Sequence, residues 1–202
     1  MVKQKIILAS TSPRRVEMAQ QMGLDFKIMP SSYEEDMTMK LSPKNLAMEL
    51  SYGKAKDVAD KLKDGIVIGI DTFIAFKGKK LGKPKTKEKA YEMLKSFSGK
   101  KLKVYSGVSI IDCKTKKEIK DYEVSKVKFR KITDDEIKSY IATGEPLDKA
   151  GAFAIQGLGS IFIESIKGCY ANIVGFPIAN IYKNLNKLGV NVFEHEKWKG
   201  KK

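Results

Sequence analysis

Residues 8–18 read LASTSPRRVEM. A short apolar run gives way to Ser-Thr-Ser-Pro, and two arginines follow at once. Proline is pre-set for the first position of a helix, so Pro13 predicts a helix start with Ser12 in the capping position. A strand over 5–9 therefore feeds directly into a helix over 13–22, with Gly23 as its stop. This strand–loop–helix step is the repeating unit of α/β folds. It also places Arg14 and Arg15 in a first helical turn, where the helix dipole favours carboxylates over cations. An anion bound there reverses the sign, because free N–H groups at a helix start hold phosphate and guanidinium groups grip its oxygens in pairs. Ser10, Thr11, Ser12, Arg14 and Arg15 thus form a first candidate cluster. The plain alternative is a surface pair bonded to local acids such as Glu17.

The same alternation continues outward. Residues 25–29 read as a short strand, and YEEDMTMKLS is a polar loop carrying Glu34, Glu35 and Asp36. Ser42-Pro43 repeats the cap-then-proline start and opens a long helix to about Lys63. GIVIGI is a buried strand ending at Asp71, and FIAFKGKKLGKP is a hairpin around Lys77–Lys80. Thr86 to Phe97 is a helix stopped by Gly99. LKVYSGVSIID and KEIKDYEVSKVKFRKI alternate like two antiparallel strands. Thr133 opens a short helix to Ala142, GEPLDKAGAFAIQGLGS is a glycine-rich loop, IFIESI is a strand and GFPIANIYKNLNKL a closing helix. The reading is α/β with a mixed sheet.

The chain has 202 residues, 42% hydrophobic and 31% charged, which predicts a soluble globular protein. GIVIGI is far too short to cross a bilayer, and the N-terminal apolar stretch is shorter than that of a secretory leader. Two cysteines and one histidine, His195 in the tail, give no disulfide framework, no zinc pattern and no Ser-His-Asp triad. The expectation is a cytoplasmic protein with no membrane attachment. The formal charge of +15 favours anionic partners, but much of it is lysine scattered over helix faces and in the tail EHEKWKGKK. It does not require nucleic acid.

Three further clusters carry polar groups. Asp71-Thr72 follows an apolar strand, where a carboxylate must be paired, hydrogen-bonded or bound to metal. Aspartate there suits holding Mg²⁺ or orienting a water, or else it caps the next turn. LGKP holds Lys83 before Pro84, a point charge suited to phosphate. Lys54, on the long helix, has the same standing, and either lysine reads equally as surface charge. In GEPLDKAGAFAIQGLGS, the glycines admit close backbone approach to a ligand, or merely make turns. Gln156 there offers a donor and an acceptor to a base edge. Neither a Walker-type nor a dinucleotide-binding glycine motif is present.

Taken together, LASTSPRR, GIDT, LGKP, SGKKLKVYSGVSI, TGEPLDKAGAFAIQGLGS and YANIVGFP resemble, in the same order, the motifs of the Maf family of nucleoside triphosphate pyrophosphatases. The resemblance covers about residues 4–188, giving one domain over 1–188 and a charged tail over 189–202. It implies a mixed twisted sheet flanked by helices, with two lobes around a central cleft, as in inosine triphosphatases. A homodimer is common in the family. It implies a hydrolase dependent on a divalent cation, Mg²⁺ or Mn²⁺, which splits a nucleoside triphosphate between the α and β phosphates. Such enzymes are thought to clear non-standard nucleotides, and the family has been linked to arrest of cell division.

By the same resemblance Asp71 is the catalytic proton acceptor. Arg14, Thr72 and Gln156 match positions of substrate choice, and Ser10, Arg15, Lys54 and Lys83 match positions lining the triphosphate. Glu35 matches an acidic position near the metal, shared there with Asp71. IQG around Gln156 resembles the branch acting on dTTP and UTP, since a neutral amide pairs with the carbonyl and N–H of a pyrimidine ring. The 7-methyl-GTP branch tends to carry an acid there. A 7-methyl-GTP or inosine-type specificity is the alternative within the family, and a basic nucleic-acid-binding protein without hydrolysis is the alternative outside it. Two positions depart from the family pattern: Leu102 stands where histidine is common, and Gly53 replaces a larger polar residue beside Lys54.

Overall fold

The structure, a computed structural model, describes residues 5–194; His195 and the rest of the charged tail lie outside the described residues. In chain order the elements are β1 (Ile6–Leu8), α1 (Pro13–Gln21), β2 (Phe26–Ile28), α2 (Pro43–Ala59), β3 (Ile66–Phe76), β4 (Lys79–Leu81), α3 (Lys87–Phe97), β5 (Lys101–Asp112) and β6 (Glu118–Phe129). They are followed by α4 (Asp134–Ala142), β7 (Ile163–Lys167), α5 (Tyr170–Val174) and α6 (Ile178–Lys187). The helix starts follow their cap residues. Ser42 and Thr86 each accept a backbone N–H three residues on, and Thr133 and Glu136 close a reciprocal capping box.

The strands form one seven-stranded sheet in the order β2-β1-β3-β5-β6-β7, with β4 paired to β3. β1 runs parallel to both β2 and β3, whereas β4 is antiparallel to β3 and β7 antiparallel to β6. The sheet is mixed, as the strand and helix alternation predicts. Among the described residues no helix is long and apolar enough to cross a membrane.

Four local expectations are corrected. Asp71 does not end a strand: β3 continues through TFIAF to Phe76, so the carboxylate sits mid-strand. The apolar alternation carries on past it, and a paired cation offsets its burial, as described below. α2 stops at Ala59 rather than near Lys63, because tightened turn bonds from Lys61 to Val58 and from Leu62 to Ala59 end the helix before Gly65, which has φ 116°. Of IFIESI only the portion from Ile163 is strand, since Ile161 and Phe162 belong to a 3-10 turn. Ser12 occupies the capping position of α1, but its side chain makes no capping bond.

The chain divides into two compact units. One is drawn from the chain up to Asp71, Ser106–Glu123 and the segment from Gly175 onward; the other from Thr72–Tyr105 and Val124–Val174. Each has its own core. In the first, Ile7, Ala9 and Val67 pack with Ala55, Val58 and Ala59 of α2. In the second, Phe97, Phe129, Phe153 and Phe162 pack with Leu94, Ile137 and Tyr140.

α2 lies directly on the sheet of the first unit because two glycines make room. A Cβ at Gly69 would fall 2.3 Å from the Ser51 carbonyl oxygen, and one at Gly107 would fall 1.7 Å from that of Ala47. Small residues at 47, 51 and 55 form the matching face of the helix, and the Ser51 and Ser109 hydroxyls meet across it at 2.8 Å. Gly107→Ala is expected to cost about 1–3 kcal/mol through overpacking. Thermal denaturation should show it as a fall of about 2–4 °C per kcal/mol. An unchanged Tm would show that α2 can retreat without cost.

Candidate active site

In the first unit, the residues between β1 and α1 form a small cradle. Ser10 is buried, and its hydroxyl accepts from the Ser12 N–H at 3.3 Å and from Arg15 Nη1 at 3.2 Å. Arg15 Nε donates to the Gly175 carbonyl at 3.1 Å, which ties α1 to the segment before α6. Arg15 therefore faces inward. Burial draws its guanidinium below the ordinary value; Asp71 and Glu35 oppose that, and Arg14 adds to it. The group stays charged, as arginine does in proteins. Arg14, half-buried, is the second cation of the turn.

Asp71 lies two residues along β3 from Gly69, where α2 comes closest. That approach brings Lys54 of α2 onto it: Lys54 Nζ donates to Asp71 Oδ1 at 2.6 Å. The same ammonium lies 2.6 Å from Glu35 Oε1. The Lys54 and Asp71 side chains are 13% and 6% exposed, against 45% for Glu35, so the inner pair is nearly dry and the outer acid reaches solvent. An ionised carboxylate buried this far needs such a partner. Lys54 is thus the cation that pairs with Asp71 as well as a candidate phosphate-site charge. Sequence reasoning gave it only the second role, because nothing in the spacing from 54 to 71 reveals a helix-to-strand contact.

Thr72, Lys83 and Gln156 belong to the second unit. Thr72 follows Asp71 on β3, and strand alternation turns the two side chains to opposite faces. Lys83 is exposed, in a lysine-rich stretch: residues 77–89 hold seven lysines and one acid. The carbonyl of Gly82 accepts from the Gly151 N–H at 2.9 Å, so the LGKP turn and the glycine-rich loop are joined. Gly151 has φ 70°, and a Cβ there would lie 2.1 Å from Ile74, so glycine is required.

Gln156 is exposed on that loop, and a residue not singled out from sequence holds the loop in place. Glu145 Oε1 accepts from the Gly159 N–H at 3.0 Å and the Tyr140 hydroxyl at 2.7 Å, and Oε2 accepts from the Leu158 N–H at 3.1 Å. Tyr140 Oη in turn accepts from the Ala154 N–H at 3.2 Å. The loop closes around one carboxylate. Burial works against that carboxylate, but these donors outweigh it and hold its pKa below the ordinary glutamate value.

A group easier to ionise when folded stabilises the fold above its unfolded pKa, about 4.3 for glutamate, and loses that contribution as pH falls through the lower native value. Glu145→Gln should therefore flatten the fall of Tm with acid below about pH 4.3. Parallel wild-type and variant curves would remove Glu145 from that account.

A divalent ion would draw on Asp71 and Glu35. Their carboxylate oxygens converge on one ammonium and are the hard donors that Mg²⁺ and Mn²⁺ take. Among the described residues there is no group of three or more acidic, histidine or cysteine side chains able to hold a metal. Two carboxylates fit an ion of the kind that takes its remaining ligands from phosphate and water.

The fold and site define a mixed α/β protein with an inward-facing arginine in the first turn of α1 and a lysine-paired aspartate in the middle of β3. Its fold is that of the Ham1 protein of Staphylococcus aureus, with a TM-score of 0.52 and 13% identity over 93% of this chain and 100% of that one. The family model described as Maf-like protein matches residues 5–188, and the chain belongs to the Maf family. Relatives named dTTP/UTP pyrophosphatase include that of Clostridium tetani, 51% identical over 92% of this chain and 98% of its own. That of Alkaliphilus oremlandii is 50% identical over 95% and 96%, and that of Methanosarcina mazei 47% over 94% and 97%.

Proposed function

We propose that the protein is a nucleoside triphosphate pyrophosphatase that hydrolyses dTTP and UTP to the monophosphate and pyrophosphate. The observation that carries this is the buried Asp71 carboxylate paired with Lys54 at 2.6 Å, in the same unit as the Ser10–Arg15 cradle. The names of the relatives supply the substrate class.

Asp71 orients a water and takes its proton as the water oxygen bonds to the α-phosphorus; the bond from that phosphorus to the bridging oxygen breaks, and pyrophosphate leaves with the bonding pair. In the first unit Arg14 and Arg15 offset charge on the phosphates, where a preorganised site gains most of its rate; the same role for Lys83, in the second unit, rests on its family motif alone. Lys54 holds Asp71 in place. For Gln156 and Thr72, both in the second unit, a part in substrate choice rests on the family motifs alone; the Gln156 amide carries the donor and acceptor that a pyrimidine edge calls for. A bound Mg²⁺ or Mn²⁺, held by Asp71 and Glu35, would add Lewis-acid stabilisation of the phosphate oxygens.

The test is a panel of dTTP, UTP, 7-methyl-GTP and ITP with Mg²⁺, Mn²⁺ or chelator, read by release of pyrophosphate. Turnover of dTTP and UTP well above the purines, lost with chelator, is expected. Preference for 7-methyl-GTP or ITP would move the chain to the other specificity, and full activity in chelator would remove the metal.

A further inference from the structure

Glu35 lies in the polar stretch between β2 and α2, outside any helix or strand, and yet its carboxylate reaches Lys54. The stretch is fastened to α2. Gly53 and Asp57 are four residues apart on that helix and share a face, with Lys61 four further on just past its end. Asp57 Oδ2 accepts from the Ser31 hydroxyl at 2.9 Å and the Ser32 N–H at 2.8 Å; Oδ1 accepts from the Ser32 hydroxyl at 3.1 Å and Lys61 Nζ at 2.9 Å. The Ser31 hydroxyl accepts in turn from the Tyr33 N–H at 3.0 Å.

One turn back, the Tyr33 ring lies against Gly53 so closely that a Cβ would fall 2.3 Å from a ring carbon. Glycine inside a helix is unfavourable without a use, and this contact is its use. It also accounts for the departure at Gly53: a larger residue there and this tyrosine cannot occupy the same space.

We infer that Asp57, together with the Gly53–Tyr33 contact, is a positioning device that seats Glu35 beside Lys54 and Asp71. This rests on the proposed pyrophosphatase reading. Asp57 and Tyr33 act through Glu35, so removing them should matter only while Glu35 is intact.

The experiment compares wild type, Asp57→Ala, Glu35→Gln and the double variant on dTTP, with limited proteolysis of the 29–42 stretch alongside. Asp57→Ala is expected to lower kcat/KM about tenfold or more, the scale for residues that orient a site group, and to speed cleavage within 29–42. In the Glu35→Gln background its further cost should be within about twofold, the range of ordinary additivity error. Gly53→Gln, whose side chain would displace the Tyr33 ring, should mimic Asp57→Ala, and so should Tyr33→Ala. An equal loss from Asp57→Ala in both backgrounds, or no change in both kcat/KM and cleavage, overturns the inference. A wild type inactive on every triphosphate overturns the functional reading instead, and the cleavage pattern then decides the seating by itself.

Discussion

Asp71→Asn is expected to lower kcat on dTTP by at least ~10²-fold, the scale of a lost general base. The substitution keeps the shape of the side chain and its place mid-strand on β3, so KM should change much less than kcat. The amide can still accept from Lys54, but it has neither the charge nor the basicity to take a proton from water. The wild-type side chain is only 6% exposed, so bulk solvent does not readily substitute for it. Steady-state kinetics on purified wild type and variant decide the matter, with thermal denaturation confirming that both are folded. A variant turning over dTTP at near-wild-type rate would show that Asp71 is not the base.

Lys54→Met should be the most damaging substitution for the site as a whole. It removes the ammonium that joins the nearly dry Asp71 carboxylate to Glu35. Removing one partner of a buried pair costs about 3–5 kcal/mol; the lower end applies here, because Glu35 is half in solvent. Steady-state kinetics on dTTP should show kcat falling by at least ~10²-fold, the scale of a general base put out of place, with thermal denaturation reporting the folding cost. A variant with near-wild-type kcat and a raised KM would mean that Lys54 serves phosphate alone.

Much of this protein is readable from local chemistry. Ser42-Pro43, Thr86 and Thr133 each mark a helix start, because capping is decided by residues three apart in the chain. The α/β class follows from the alternation of apolar strands with capped helices. The inward-facing Arg15 was visible as an oddity, a cation where a helix start disfavours one. Ser12 shows the limit of such reading: the capping position was right, but its backbone N–H goes to Ser10 and its side chain caps nothing.

The sequence by itself determined which residues carry charge, amide and hydroxyl groups, and in what order they enter helices and strands. Tertiary structure alone decided which of them meet. Lys54 and Asp71 are 17 positions apart and touch because Gly69 and Gly107 let α2 settle onto the sheet. Glu145 becomes the anchor of the Gln156 loop only when that loop folds back on it. Tyr33 finds Gly53 in the same way, across the polar stretch that carries Glu35. Local propensity acts over three or four residues, whereas these contacts depend on where whole elements come to rest, which packing and burial of the entire chain determine.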